Sequence, residues 1–210
     1  MTAAAAVPER FLAEGHSRIL VYGAEGLVSW LSTRGLDARR AATISDEASL
    51  AAWAPDGVTV GLDRESGARE LALAAAAVRA GARLVAPNRD ATYPEPTGLI
   101  PGTGAAVAAL EAATGVEAEI VGKPAPDLIH VAMRRVGATV ATTVMIGDSP
   151  ATDIAAANAA RVRSILLLTG VTGAGDVATL PSSERPTFVA RDAHALGRLL
   201  GDIALGLERT

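Results

Sequence analysis

The feature that most constrains the fold is a repeated alternation of short apolar runs with longer alanine-rich or amphipathic segments. Runs such as 18–23 and 58–62 have the length and the β-branched content of buried strands. Segments such as 70–79 and 103–114 have the composition of helices and stop close to a glycine. Strands that alternate with helices predict βα units and an α/β fold with a parallel sheet. In such a sheet, sites usually form at the carboxyl ends of the strands.

The same patterns predict individual elements and two lobes. Strands are expected at 18–23, 58–62, 82–86, 118–122, 141–146, 163–168 and 187–190. Helices are expected at 2–14, after residue 24 up to Gly35, and at 70–79, 103–114, 126–136, 150–160 and 193–205. Residues 87–101 are predicted to be a loop and the boundary between the lobes, and residues 172–186 a second loop.

Composition excludes several classes of function. Half of the residues are apolar, 46 are alanine and six are aromatic, so the core must be built from small aliphatic side chains. The net charge of −4 provides no basic surface for nucleic acid. The absence of cysteine excludes disulfides and thiolate sites, and favours a reducing compartment. No apolar stretch reaches about 18 residues, so we expect no membrane span and a cytoplasmic protein.

Two carboxylates follow the predicted strand 141–146. Asp148 comes just after the strand, and Asp153 lies one turn into the next predicted helix, so both can face one pocket. Ser149 is suited to the N-cap position and Pro150 to the first helical position. A carboxylate at a strand end is a good ligand for Mg²⁺, whereas Asp153 could instead only complement the helix dipole.

Lys123 is the only lysine among the 19 basic residues. It ends the predicted strand 118–122, and Pro124 and Pro126 hold the following connection away from helix. The lysine is therefore expected at the same sheet edge as Asp148. An ammonium group beside a metal-bound carboxylate can bind a phosphoryl group and offset the negative charge of its transfer.

These motifs resemble those of a known family. Residues 122–127 (GKPAPD) followed by 147–153 (GDSPATD) are similar to the third and fourth motifs of the haloacid dehalogenase superfamily. Residues 88–94 (NRDATYP), 98–104 (GLIPGTG) and 168–172 (LTGVT) resemble its class IIA branch more closely. That branch includes 4-nitrophenyl phosphatases and phosphoglycolate phosphatases.

The resemblance extends from residue 2 to about residue 200 and implies a domain organisation. It implies an α/β protein with a partial Rossmann-like parallel-sheet core of the haloacid dehalogenase type and an α/β cap domain. Residues 1–16 would be a core helix that leads into the cap, 17–100 the cap domain, and 101–210 the C-terminal part of the hydrolase core.

The resemblance also implies a reaction and residue roles. The family reaction is Mg²⁺-dependent hydrolysis of a phosphomonoester, here of a phosphorylated small molecule. Asp148 would bind Mg²⁺, and Asp153 would support both the metal and the lysine. Lys123 would hold the phosphoryl oxygens and the nucleophile. Tyr93 falls at a cap-loop position that contacts the substrate in relatives.

The sequence departs from the family in one important respect. Family members carry D-x-D-G on a first strand, where the first Asp attacks phosphorus, but these 210 residues contain no D-x-D. Asp63 follows a strand but aligns with the cap, so it cannot replace that nucleophile. We expect the chain to begin after the first core strands. An exposed apolar edge on 101–210, and with it a homo-oligomer, would follow.

Two other functions fit part of the sequence. A truncated, non-enzymatic binding or oligomerisation module would retain the cap and half of the core. A serine hydrolase would use Ser149 as nucleophile, because Gly147-Asp-Ser-Pro-Ala151 approximates a nucleophile elbow, with His194 and Asp192 behind it. Pro150 argues against the hydrolase, because it removes the next backbone N–H from an oxyanion hole.

Overall fold

A computed structural model of the chain describes residues 3–96, 98–169, 172, 173, 175 and 177–206. Its strands are β1 (Arg18–Tyr22), β2 (Asp37–Arg40), β3 (Gly57–Val60), β4 (Arg83–Ala86), β5 (Thr92–Glu95), β6 (Gly98–Pro101), β7 (Glu119–Ile120), β8 (Val144–Gly147), β9 (Arg163–Leu167) and β10 (Phe188–Ala190). Its helices are α1 (Val7–Ala13), α2 (Glu25–Ser32), α3 (Glu47–Trp53), α4 (Ala68–Arg79), α5 (Thr103–Thr114), α6 (Asp127–Val136), α7 (Ala155–Ala159) and α8 (Ala193–Leu205). The predicted α/β class is confirmed.

The chain forms two compact units, residues 1–122 and 123–210. The first unit contains a five-stranded parallel sheet of order β2-β1-β3-β4-β7 and the antiparallel hairpin β5-β6. The second unit contains a three-stranded parallel sheet of order β10-β9-β8. The units divide after Gly122 and not at residue 100, because β7 pairs with β4 and joins the first sheet. The division into cap and core at residue 100 stays a prediction.

Both faces of the five-stranded sheet are covered by helices. Leu20, Val58 and Leu84 belong to a buried apolar cluster that includes residues of α3, α4 and α5. On α1, Phe11 is fully buried, and a Cβ atom on Gly57 would lie 2.6 Å from its ring. Glycine at that position therefore lets α1 pack directly on β3. Small and aliphatic side chains fill the core, as the composition required.

Three elements of the first unit were not predicted. The segment between Gly35 and β3 contains β2 and α3, and the predicted loop 87–101 contains the hairpin β5-β6. The sequence of β2, Asp-Ala-Arg-Arg, has no apolar run because the strand lies at the edge of the sheet. The Asp46 carboxylate accepts a hydrogen bond from the backbone N–H of Ser49 and caps α3, which is a signal that the sequence contains. The hairpin was not predicted because β5 and β6 each contain a proline, which is uncommon within strands.

In the second unit, one predicted strand and one predicted helix begin differently from expectation. A 3₁₀ turn over Val140–Thr142 precedes β8 where the start of a strand was predicted. The predicted helix 150–160 begins as one π-helical turn, Pro150–Ile154, and continues as α7. In the first unit, a 3₁₀ turn over Ala3–Ala6 likewise precedes α1. The predicted loop 172–186 includes two 3₁₀ turns, and its residues 174 and 176 lie outside the described part of the chain.

An ion pair between Arg40 and Asp63 holds the loop that follows β3 in place. The Asp63 side chain is 4 % exposed and accepts hydrogen bonds from Arg40, Ser66 and the backbone N–H of Glu65. Burial raises the pKa of Asp63, but the hydrogen bonds from Ser66, Glu65 and Arg40 outweigh it and leave that pKa below its ordinary value. Asp63 is therefore an anion whose oxygens are held by its partners.

Arg161 has a left-handed backbone conformation at the end of α7, with φ of 59°. Its N–H donates to the Asn158 carbonyl, and the N–H of Val162 donates to the Ala157 carbonyl, as at a helix end closed by a left-handed residue. We expect Arg161→Gly to raise the free energy of unfolding by about 1 kcal/mol, because glycine adopts this conformation without a Cβ penalty. Urea unfolding followed by circular dichroism measures the change.

Ala80→Gly is the matched control, because Ala80 is exposed and ends α4 with an ordinary φ of −77°. Glycine there should lower stability by a few tenths of a kcal/mol, or about 1 kcal/mol at most. Equal effects of the two substitutions would contradict the conformational argument.

Asp63→Asn should remove a pH-dependent contribution to stability. A carboxyl group whose pKa is lowered on folding stabilises the protein above its unfolded pKa, and that contribution is lost as the pH falls. We expect the variant to be less stable by about 1–3 kcal/mol at neutral pH, and the difference to shrink towards acid pH. Urea unfolding at several pH values tests this, with the exposed Glu65→Gln as control. A difference that stays constant with pH would show that Asp63 acts only through packing.

Candidate active site

The carboxyl end of β8 places two aspartates in contrasting environments. Gly147 ends the strand, Asp148 follows it as an exposed residue, and Pro150 opens the π-helical turn that carries Asp153. Asp153 is only 4 % exposed. The predicted placement of both residues is confirmed, but only Asp148 presents its side chain to solvent.

The Asp153 carboxylate is the centre of a small hydrogen-bond network. Its Oδ1 accepts from Lys123 Nζ at 2.5 Å, and its Oδ2 accepts from the backbone N–H groups of Asp148 and Ser149 at 3.2 Å each. A buried carboxylate is costly unless its oxygens are hydrogen-bonded, and here both are. The network therefore fixes the lysine and the Asp148 backbone relative to each other.

Gly147 allows this network to form. A Cβ atom on Gly147 would lie 2.3 Å from Asp153 Cβ and 2.4 Å from its Cγ and Oδ2 atoms. Since such distances are far below van der Waals contact, any other residue would displace the carboxylate. The glycine of the GDSPATD motif is thus explained by a close approach and not by its backbone conformation.

Lys123 lies at the start of the second compact unit, four residues before α6. Its side chain is 40 % exposed, so the ammonium group contacts solvent on one side and Asp153 on the other. Lys123 and the two aspartates come together as expected, but not at one sheet edge, because β7 belongs to the five-stranded sheet and β8 to the three-stranded sheet. Their catalytic and metal-binding roles stay predictions.

Thr172 adds a contact for which the sequence suggested no role. Its hydroxyl donates to the Asp148 backbone carbonyl at 3.0 Å, and the residue is buried. The sequence motif 168–172 contributed only to the family resemblance, since a threonine in a loop carries no signal for a contact across 24 residues. Asp148 is thereby held through its N–H by Asp153 and through its carbonyl by Thr172.

Tyr93 is the remaining candidate residue. Tyr93 is on β5 in the first compact unit and is 46 % exposed. Within the described residues, no three His, Cys, Asp or Glu side chains form a cluster that could hold a metal by themselves. A metal at Asp148 would therefore need oxygens from water and substrate, which is the usual coordination of Mg²⁺.

The geometry does not favour a serine hydrolase. Ser149 occupies the predicted N-cap position, but its side chain makes no capping hydrogen bond. Asp192 instead caps α8 by accepting from the backbone N–H of Ala195 at 2.7 Å, and this bond lowers the pKa of Asp192. Among the described residues no hydrogen bond joins Ser149 to His194.

The known proteins that are similar to this chain indicate one family. Residues 120–196 match the family described as HAD-hydrolase-like. D-glycerol 3-phosphate phosphatase of Mycobacterium tuberculosis is 40 % identical over 180 residues, which are 86 % of this chain and 48 % of that protein. An acid sugar phosphatase of Staphylococcus saprophyticus is 30 % identical over 196 residues, which are 92 % of this chain and 70 % of that protein.

Solved structures give the same result. The glycerol phosphate phosphatase of Mycobacterium tuberculosis in complex with magnesium is 37 % identical, with a TM-score of 0.79 over 93 % of this chain and 56 % of that one. A thermostable NPPase of Geobacillus stearothermophilus is 34 % identical, with a TM-score of 0.75 over 90 % of this chain and 70 % of that one. The chain spans about half the length of the first relatives that it matches.

The fold, the motifs and the relatives together define the class of protein. This chain belongs to the haloacid dehalogenase superfamily, within its class IIA phosphatases. The resemblance that the sequence motifs indicated is confirmed. None of the helices in the described residues is long and apolar enough to cross a membrane.

Gly147→Ala should disrupt the Asp153 network. The added methyl group would overlap the carboxylate, so we expect a loss of about 1–3 kcal/mol in the free energy of unfolding. Gly197→Ala in α8 is the control, because its Cβ would meet no atom within 4 Å. That substitution should stabilise the chain by up to about 1 kcal/mol. Urea unfolding measures both, and a Gly147→Ala variant as stable as the parent would contradict the packing argument.

Proposed function

We propose that this chain supplies the lysine and metal-binding half of a Mg²⁺-dependent phosphomonoesterase site. The observation that carries the proposal is the contact of Lys123 with the buried Asp153, whose other oxygen holds the backbone of Asp148. An ammonium group and a carboxylate fixed at one strand end suit a phosphoryl group and a hard cation. The phosphatases named among the relatives support the same reaction class.

Lys123 would bind the phosphoryl oxygens. Its Nζ atom has three donors, of which Asp153 takes one, and its partial exposure leaves the others directed towards solvent. The ion pair with Asp153 orients the Lys123 ammonium group but leaves part of it in contact with solvent. Lys123 can therefore offset negative charge that develops on a phosphoryl group during transfer.

Asp148 would be the direct metal ligand, and Asp153 would position it. The Asp148 side chain is exposed, whereas both Asp153 oxygens already accept hydrogen bonds. Of the two predicted metal residues, Asp148 thus has the free oxygens that a cation needs. When bound, Mg²⁺ would act as a Lewis acid that polarises the phosphoryl oxygens.

The substrate would be a phosphorylated small molecule. Relatives are named for D-glycerol 3-phosphate, dihydroxyacetone and acid sugar substrates, which supports this class. Tyr93 is proposed to contact the substrate, on the basis of the family resemblance and its partly exposed position on β5. The homo-oligomer and the absence of nucleic-acid binding also stay predictions.

The second candidate function is a non-enzymatic binding or oligomerisation module. It was weighed because these 210 residues contain no D-x-D, the motif to which the family nucleophile belongs, and the phosphatases among the relatives do not favour it. The two functions predict different results when a nucleophile is supplied. The Lys123 and Asp148 arrangement of a phosphatase would then support hydrolysis of a phosphomonoester, whereas that of a binding module would not. That difference can be measured.

A family N-terminal segment carrying D-x-D-G, fused before Thr2, should give Mg²⁺-dependent hydrolysis of 4-nitrophenyl phosphate. The 210-residue chain without the fusion should hydrolyse this ester no faster than buffer, because it contains no D-x-D carboxylate to attack phosphorus. In the fusion, Lys123→Arg should lower kcat by roughly ten- to a hundredfold, because the wider guanidinium is displaced from the ammonium position. Asp148→Asn should weaken Mg²⁺ binding, measured by calorimetry.

Arg191→Lys is the control, because the Arg191 side chain is 78 % exposed and outside the network. It should leave both rate and metal affinity unchanged. A folded, Mg²⁺-binding fusion without activity would favour the non-enzymatic module, and a fully active Lys123→Arg fusion would contradict the role proposed for Lys123. Hydrolysis of a carboxylic ester that is lost in the Ser149→Ala variant would instead support the serine hydrolase.

A further inference from the structure

We propose that Arg64 is a positioning residue, which places Tyr93 for contact with the substrate by holding the closed end of the hairpin β5-β6. The Arg64 guanidinium donates a hydrogen bond to the Glu95 carboxylate, and Glu95 lies two residues after Tyr93 on β5. Arg64 itself belongs to the loop that follows β3. Tyr93 contacts a substrate only under the proposed function, on which this inference rests.

The base of the hairpin is fixed by helix α5. The backbone N–H groups of Gly102 and Gly104 donate to the carbonyls of Ala91 and Asp90, respectively, at 2.8 Å each. A Cβ atom on Gly104 would lie 2.3 Å from the Arg89 carbonyl oxygen, so glycine allows the chain that enters β5 to lie directly on the start of α5. The entry to β5 therefore cannot move without breaking contacts with the helix.

The closed end of the hairpin depends on Arg64. The two strands pair with each other as far as Glu95 and Gly98. Among the described residues, no hydrogen bond other than that between Arg64 and Glu95 joins β5 or β6 to another element. A pair of strands by itself is only marginally stable in water, so this outside contact limits the motion of the closed end.

The loop that carries Arg64 is itself held in place. Asp63 accepts hydrogen bonds from the Ser66 hydroxyl and from the backbone N–H of Glu65. The residues before and after Arg64 are thus tied to one carboxylate, and Arg64 extends from a fixed backbone. The Arg64 side chain is 69 % exposed and that of Glu95 is 17 % exposed, so water can replace a lost guanidinium at the Glu95 carboxylate only in part.

The bond between Arg64 and Glu95 connects two walls of one cavity in the first compact unit. The cavity has a volume of about 490 Å³, and Leu62 and Tyr93 both line it. Arg64 lies two residues after Leu62, and Glu95 lies two residues after Tyr93. Because side chains two residues apart on a strand project from the same face, a shift of Glu95 moves Tyr93 with it. Arg64 thereby sets the separation between the β3 loop and Tyr93.

Arg64 acts on substrate affinity and not on the reacting atoms. Loss of its guanidinium releases the closed end of the hairpin, so Tyr93 occupies more positions before a substrate binds. Ordering of β5 then accompanies binding and weakens it. The ground state and the transition state are weakened equally, so KM should change and kcat should not.

The first test measures hydrogen exchange of backbone amides in the 210-residue chain. Arg64→Ala should accelerate exchange in β5 and β6 by about three- to fivefold, the range expected for an ion pair with one exposed partner, and leave β1 and β3 unchanged. Arg64→Glu combined with Glu95→Arg should restore the parent rate, because it reverses the pair without removing it.

Arg83→Ala is the control for this test, because Arg83 is an exposed arginine that pairs with Glu119 at the start of β4. It should leave exchange in the hairpin unchanged. Hairpin exchange that is unaffected by Arg64→Ala, or that the reversed pair does not restore, overturns the positioning by Arg64.

The second test measures kinetics in the D-x-D-G fusion. Arg64→Ala should raise KM for 4-nitrophenyl phosphate by about three- to fivefold and leave kcat within about twofold of the parent value. In a Tyr93→Ala background, Arg64→Ala should have no further effect, because the side chain that it positions is gone. Additive effects of the two substitutions, or a fall in kcat alone, overturn the link between Arg64 and Tyr93.

The two proposals fail separately. An inactive fusion contradicts the phosphatase and with it the substrate contact of Tyr93, whereas hydrogen exchange still decides whether Arg64 holds the hairpin. An active fusion in which Arg64→Ala leaves KM unchanged contradicts only the role of Arg64.

Discussion

The second unit depends on a single buried carboxylate. Asp153 accepts hydrogen bonds from the Lys123 ammonium and from two backbone N–H groups, and it lies directly over the backbone of Gly147. A charge with so little solvent requires partners on every oxygen, so each partner is constrained by the others. The lysine, the end of β8 and the first turn after it are therefore positioned together.

This constraint separates the roles of the two aspartates. Asp153 is satisfied by the protein, whereas Asp148 is held only through its backbone, by Asp153 on one side and Thr172 on the other. The Asp148 side chain thus remains available at a strand end whose main chain cannot shift freely. Such a rigid support with a free ligand is what precise binding of a cation and a phosphoryl group requires. Lys123 is partly exposed, so solvent screens its attraction to Asp153, and geometry matters more than the strength of the pair.

The loops of the two compact units differ in the side chains that they present. In each, a parallel sheet gathers loops at the carboxyl ends of its strands. In the second unit, the segment after β8 carries Asp148 and Asp153, and Lys123 joins them from the segment that follows β7 of the first sheet. In the first, those loops carry Leu62, Asn88 and Asp90. The Arg40 and Asp63 pair holds the loop that follows β3 in the first unit.

The sequence by itself determined the α/β class, the family and the convergence of Lys123, Asp148 and Asp153, because strand periodicity and short motifs are local properties of the chain. Only the tertiary structure revealed β2, α3 and the hairpin β5-β6, whose polar or proline-containing strands lack the apolar periodicity of buried ones. It alone joined β7 to the first sheet and brought Thr172 to Asp148. These features depend on contacts between residues far apart in the chain, and no local pattern encodes which distant partner a strand edge or a hydroxyl group will meet.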